Sequence, residues 1–367
     1  MLAFKTLSFL YIRYIAIILT ALAGFMVGFD LMDSGTRLPA GANLVMLYIM
    51  YKTFFAIDMM LPITLVFAMI AAMVELIRSN ALAAYYAIGY SKFRLMSPFL
   101  ATASVLVVLH IALHATSFAR AHEYAENLGQ SSQLIRPTGD LFFTHEGNYI
   151  YFGNLYPLSK KAEDIRIFNF NDNRLHEIVR ADEAVYDREH WNIANATTIV
   201  PPENLLDRKN GVIEKESPNI QALRHFKPKI LDQVYEGKDN FTIGDGLEAL
   251  KLLKNQNVDV TKIKSVLYRI FIFPWFALVM MVILYTYVPV SSRFVNLSFF
   301  SFGAILATLL VWGVLFVFGE LANTKTLSPE TGVISPIAAL FGVMIWRLGN
   351  PLRRVRVKSR ENYALKG

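Results

Sequence analysis

The stretch Phe54–Leu76, FFAIDMMLPITLVFAMIAAMVEL, carries two charges, Asp58 and Glu75, and otherwise reads as one apolar run. About 20 apolar residues cross a hydrocarbon core of roughly 30 Å, so this run predicts a transmembrane helix. Five more runs of the same kind lie near Tyr14–Phe29, Met96–Ser117, Val266–Tyr287, Val295–Gly319 and Val333–Trp346. The last is short alone, and Leu348 with its neighbours extends it. Three runs precede and three follow a polar middle. The fold expected is a membrane α-helical protein with six transmembrane helices and an inserted domain. The expected divisions are 1–117 for the first three helices, 118–262 for the inserted domain and 263–367 for the last three helices and a basic tail. A transmembrane β-barrel would show short alternating segments, and these runs do not alternate.

Composition agrees. Hydrophobic residues make up 54% of the 367, against roughly 45–50% in a soluble domain, and mean hydropathy is +0.38. The first run has features of a signal peptide: Lys5 in a basic leader and Ala21-Leu22-Ala23 as a cleavage-like site. Arg13 and the apolar sequence beyond that site favour a retained helix. Cysteine is absent, which excludes disulfides, a thiolate nucleophile and a zinc–thiolate site.

The net charge of +7 does not point to nucleic acid, because it sits where the positive-inside rule places it. Arg347, Arg353, Arg354, Arg356, Lys358, Arg360 and Lys366 crowd the C-terminal tail, opposed by Glu361. Arg78, Lys92 and Arg94 flank the loop between runs two and three, and Arg293 follows run four. Both termini are expected in the cytoplasm and the inserted domain outside, in the periplasm of a Gram-negative cell.

Inside the polar middle the period changes. Asn148–Phe152, Ile165–Phe170, Leu175–Val179, Ala184–Tyr186, Trp191–Ala194 and Thr197–Val200 read as short strands, and Gly211–Glu216 as a further extended piece. Such spacing suits a sandwich, jelly roll or barrel. Ile165–Phe170 is a candidate edge for strand addition. Ile243–Gln256 reads as a helix leading into the fourth span.

No catalytic constellation emerges. His145, His176, His190 and His225 are scattered without a metalloprotease spacing, there is no nucleophile-elbow motif, and no phosphate-binding P-loop. The chain is read as non-enzymatic and without a cofactor of its own, so active transport would draw on a partner or an ion gradient. Asp58, His110 and His114 fall toward the outer ends of their runs and are read as pairing or interfacial groups.

The loop between runs two and three is the most distinctive. Ser79-Asn80 offers a helix N-cap, Ala81 to Ala87 are helix formers with Tyr85 and Tyr86, and Gly89 offers a stop. A short interfacial helix and a docking helix for a cytoplasmic ATPase are equally compatible with it.

Arg78-Ser79-Asn80-Ala81-Leu82 through Ala87-Ile88-Gly89-Tyr90-Ser91 resembles the R-S-E-L … A-x-G-x-S coupling segment of the LptF/LptG permeases. Pro62, Pro274, Ser335-Pro336 and the order Tyr268, Pro274, Pro289, Arg293 add to a likeness that covers nearly the whole chain. Within the family, Gly28-Phe29-Asp30-Leu31 and Tyr51–Pro62 look more like the LptG branch. The resemblance implies a jelly-roll fold for the inserted domain. It implies extraction of lipopolysaccharide from the inner membrane into a cavity shared with an LptF-like paralogue. It further implies an LptB-type ATPase dimer using ATP and magnesium, and LptC-like and LptA-like proteins that receive the lipid.

On this likeness Ser79, Asn80, Ala81, Leu82, Tyr85, Tyr86, Ala87 and Gly89 are the coupling residues. Arg37, Lys52, Lys262, Lys264 and Arg269 are head-group candidates, equally readable as interfacial anchors, and Phe299, Phe302, Leu306 and Leu310 are cavity candidates, equally readable as helix-packing or lipid-facing surface. The sequence departs from the family at Ala81, where a glutamate is usual, so the acidic contact is either missing or supplied by Glu75. It departs again at Val27, near the place of a basic residue. A permease for another envelope lipid, and a membrane receptor or structural protein with an outer ligand-binding domain, are the alternatives.

Overall fold

The computed structural model describes residues 2–33, 38–39, 41–131, 137–145, 147–157, 159–171, 174–187, 189–201, 213–224, 228, 240–253, 260–291 and 296–349. The chain divides into two compact units, one of residues 1–125 and 264–367 and the other of residues 126–263.

The first unit is helical. Its elements are α1 (Leu2–Asp33), α2 (Ala42–Arg78), α3 (Ala81–Ala87), α4 (Lys92–Leu113), a 3₁₀ turn (Ser117–Arg120) and the start of α5 (Ala121–Ser131). The fourth span runs Thr261–Tyr285 and is broken by a 3₁₀ turn at Phe273–Trp275 into α7 (Thr261–Ile272) and α8 (Phe276–Tyr285). Pro274 lies in that turn, and without an N–H it cannot continue the helical ladder. Then come α9 (Leu297–Asn323), a π-helical turn (Glu330–Ile334) and α10 (Ser335–Gly349). Among the described residues six helices are long and apolar enough to cross a membrane, as expected.

The centre of this unit is α2. Its most apolar window is 67% buried, against 11% in α1, 22% in α9 and 17% in the sixth span. At 37 residues α2 rises about 55 Å, well beyond a core of roughly 30 Å. Tyr11, Leu65, Met69, Met73, Phe99, Phe276 and Met281 form one buried cluster. The Tyr11 hydroxyl donates to the Leu65 carbonyl at 2.8 Å. In hydrocarbon every backbone polar group needs an internal partner. Pro98 in α4 deprives the Arg94 carbonyl of its helical donor, and the Ser97 hydroxyl supplies one at 3.0 Å.

The second unit carries the inserted β domain. Strands β1 (Thr138–His145), β2 (Asn148–Tyr156), β3 (Lys161–Asn171), β4 (Arg174–Asp187), β5 (His190–Val200) and β6 (Ile213–Ala222) form one antiparallel sheet in sequential order. Alternate residues face one side: Ile150, Phe152, Ile165, Ile167, Val179, Ala181, Trp191 and Ile193 are buried together. Trp191 anchors them, 5.1 Å from the Phe152 ring and 5.6 Å from that of Tyr186. Outside, Lys161 lies 3.1 Å from Glu183 and 3.5 Å from Glu163; the hydrogen bond to Glu183 holds its ammonium above the ordinary lysine range.

Three expectations are corrected here. Leu175–Val179 and Ala184–Tyr186 are parts of one strand, β4, and Trp191–Ala194 and Thr197–Val200 are parts of β5. The apparent break is local. Asn195 takes a positive φ of 52°, and the β4–β5 pairing passes from Arg180–Thr197 to Glu183–Ala194 across it. Ile165–Phe170 is not an edge, because β3 pairs with β2 on one side and β4 on the other. Among the described strands the edges are β1 and β6, and Pro218 lies in β6, where a missing donor is tolerated. The helix expected over Ile243–Gln256 is α6 (Ile243–Leu253), and 254–256 lie outside the described residues.

Candidate functional site

The loop between α2 and α4 is built from both ends. Ser79 caps α2: its hydroxyl donates to the Glu75 carbonyl at 2.9 Å. Asn80 stands at the N-cap position of α3, but with φ 57° and no side-chain capping bond. The expected Ser79-Asn80 side-chain N-cap is therefore corrected to a left-handed backbone turn. Asparagine adopts that conformation at little cost. At the far end Gly89 has φ 88°. Its N–H donates to the Tyr86 carbonyl at 3.0 Å, and the Tyr90 N–H to the Tyr85 carbonyl at 3.0 Å. These two bonds make a Schellman stop, and the positive φ explains the glycine.

Side chains of the loop point two ways. Leu82 is buried within the helical core, with Tyr85, Tyr86 and Tyr90 packed against it. The Tyr86 and Tyr285 hydroxyls lie 3.4 Å apart. Ser79, Asn80, Ala84, Ala87 and Gly89 are exposed, and Ala81 is half-buried. Ile88 and Phe93 are 72% and 68% exposed. Arg78, Lys92 and Arg94 of the same segment are exposed as well, so the segment as a whole presents a platform of apolar and basic groups. The sequence reading missed Ile88 and Phe93; only their position outside any apolar run could have flagged them. Glu75, the substitute acid, is half-buried and accepts from the Tyr14 hydroxyl.

Two of the head-group candidates sit in ion pairs. Lys52 lies 2.8 Å from Asp30, which also accepts from Tyr48 at 2.6 Å. Arg269 pairs with Glu320 at 3.3 Å. Lys264 is exposed and Lys262 half-buried; Arg37 lies outside the described residues. Both described ion pairs tie one helix to another, so their first effect is to lock the bundle.

On α9 the cavity candidates share one stripe. Phe299, Phe302, Leu306 and Leu310 are 77%, 65%, 44% and 62% exposed, at the spacing that keeps helical residues on one side. On α1, Phe9, Phe25 and Phe29 are exposed too. Surfaces this apolar suit hydrocarbon or a partner, not water.

In the β domain a cleft of about 750 Å³ opens on the apolar face of the sheet. Ile150, Ile167, Val179 and Ile220 line it, with Asn169 and Glu177 among its polar groups. His190 lines this cleft, His176 is exposed, and His225 lies outside the described residues.

Asp58, His110 and His114, read separately as interfacial groups, come together. His110 Nε2 lies 2.7 Å and His114 Nε2 3.1 Å from the same Asp58 oxygen.

A family model described as lipopolysaccharide export system permease LptF/LptG matches residues 6–350. A comparison with curated proteins finds no match.

Proposed function

Because the chain belongs to the LptF/LptG family of lipopolysaccharide export permeases, we propose that it is the LptG-like half of a heterodimer that lifts lipopolysaccharide out of the inner membrane. It is a multi-pass membrane protein of a transporter family. In this reading its termini and α3 are cytoplasmic and its β domain is periplasmic. The chain itself hydrolyses nothing. An LptB-type ATPase dimer binds the α3 platform and consumes ATP with magnesium.

The observation that carries the reading is the seating of Leu82 in the core of the spans while Ile88 and Phe93 stay exposed. A load applied to the platform passes through Leu82 into α2, α4 and α8. Packed interiors are nearly incompressible, so the push moves spans instead of being absorbed. Lipopolysaccharide demands such a stroke, because each acyl CH₂ drawn from the bilayer costs about 0.8 kcal/mol. The exposed stripes of α9 and α1 are the walls that hold the acyl chains, facing an LptF-like partner. The cleft of the β domain takes the lipid next, and strand edges β1 and β6 join LptC-like and LptA-like domains by strand addition. Arg37, Lys52, Lys262, Lys264 and Arg269 are the groups proposed to meet phosphate. For Lys52 and Arg269 this requires exchange of their present carboxylate partners.

The test is reconstitution of the full complex in proteoliposomes. Ile88→Asp with Phe93→Asp is expected to lower both stimulated ATP hydrolysis and lipid release by about tenfold, equivalent to roughly 1.4 kcal/mol of docking energy. Unchanged hydrolysis and release would remove α3 from the coupling role.

A further inference from the structure

We propose that Asp58, His110 and His114 form a binding site for a divalent transition-metal cation of the zinc class. The site needs neither lipid nor ATPase and is independent of the transport reading.

His110 and His114 are one helical turn apart at the end of α4, and Asp58 reaches them from α2. One donor atom from each lies within 4.8 Å of the other two. The rings stand at 90° with centroids 5.0 Å apart, so both Nε2 atoms converge on one carboxylate oxygen. His114 Nδ1 lies 3.0 Å from the His110 carbonyl. A carbonyl only accepts, so Nδ1 carries the proton. In the neutral ring Nε2 is then left with its lone pair. That lone pair faces Asp58 Oδ1 at 3.1 Å, and an ionised carboxylate is also only an acceptor. Two acceptors hold this approach when a cation lies between them, either a proton on Nε2 or a metal ion.

The surroundings suit the metal. A ligating histidine commonly donates its other ring N–H to a backbone carbonyl, which His114 does. His110 Nδ1 is buried with no hydrogen-bond partner, so the tautomer that frees its Nε2 leaves a buried N–H without an acceptor, a cost that coordination has to offset. The His110 and His114 side chains are 5% and 9% exposed, while Asp58 is 31% exposed. A fourth position on the Asp58 side would complete the three-ligand-plus-water pattern of zinc sites. Phe118 stands edge-on to both rings, at 6.4 and 5.6 Å, and walls the other side. Two imidazoles and one carboxylate favour zinc-class ions over calcium or magnesium, which take oxygen donors. Across a tetrahedral zinc, N and O lie about 3.4 Å apart. The carboxylate therefore needs to withdraw by less than about 1 Å, a side-chain adjustment. Arg269 is paired with Glu320. A bound ion would clamp α2 to α4.

The experiment uses the full-length chain without a histidine tag, in detergent, stripped with chelator. Zinc is titrated calorimetrically, and cobalt(II) by its visible spectrum. The expected result is one equivalent bound, a low-coordination cobalt spectrum that zinc abolishes, and a melting temperature raised by zinc and lowered again by chelator. His110→Ala, His114→Ala and Asp58→Asn should each weaken affinity by more than about tenfold. Absence of saturable one-equivalent binding by the wild-type chain overturns the proposal and leaves a protonated hydrogen-bonded trio. Unchanged affinity in the His110→Ala/His114→Ala chain overturns it as well, placing the ion elsewhere.

Discussion

Gly332 shows how one residue sets a helix contact. A Cβ built there would lie 2.5 Å from the Ala322 Cβ and 2.8 Å from the Phe318 carbonyl oxygen. Both atoms belong to α9, so the glycine is what lets the π-helical turn approach that span. Small residues at such crossings are the usual device for close packing in membranes. Gly332→Val is expected to destabilise the bundle by about 1–3 kcal/mol through overpacking, read as a lower melting temperature in detergent. Gly342→Val should leave it unchanged, since a Cβ at Gly342 meets nothing within 4 Å. Equal melting of the two variants would contradict the contact. Neither glycine was distinguishable in the sequence, because close approach depends on the facing helix. The Asp58, His110 and His114 cluster was hidden for a related reason. His110 and His114 are visible as an i, i+4 pair, but Asp58 lies 52 residues before His110, and only the packing of α2 on α4 brings it across. Lys52 and Arg269 are head-group candidates in the sequence, which does not show that Asp30 and Glu320 face them.

Elements were legible where the signal was a long period and blurred where it was a local turn. The six apolar runs each became a span because bilayer thickness imposes one length on all of them. The π-helical turn at Glu330–Ile334 and the break at Pro274 modify spans without changing their number. Strands β4 and β5 read as four in the sequence because alternation fails at Asp182-Glu183 in β4 and at Ala194-Asn195 in β5, although pairing continues on both sides. The helix α3 was foreseen from Ala81–Ala87 and the glycine stop; its capping chemistry was not, since Asn80 works through its backbone angle. That stop can be tested directly. Gly89→Val forces a β-branched residue toward φ 88°, at a cost of at least about 1 kcal/mol. Amide exchange over residues 81–90 should quicken severalfold, with the spans themselves unaffected. Unaltered exchange would mean that the Schellman bonds do not hold this helix end.

At the scale of the whole molecule the proposed function is a relay: platform, spans, apolar stripe, β-domain cleft. A relay predicts that lesions at different stations fail differently. Ile88→Asp with Phe93→Asp removes the input, so hydrolysis and lipid release fall together. Ile220→Glu puts a carboxylate into the cleft from edge strand β6, where a half-buried position tolerates substitution better than the packed Ile150 or Phe152. Burying that charge against acyl chains would cost several kcal/mol, enough to close the cleft to lipid. The ATPase and α3 are untouched by it. Stimulated ATP hydrolysis should therefore persist while transfer to a soluble acceptor domain collapses, measured by photo-crosslinking of the lipid to that acceptor. If both activities fall together, the β domain feeds back on the motor and the relay is not serial. If transfer survives, the lipid leaves the permease by another surface, and the cleft has a different occupant.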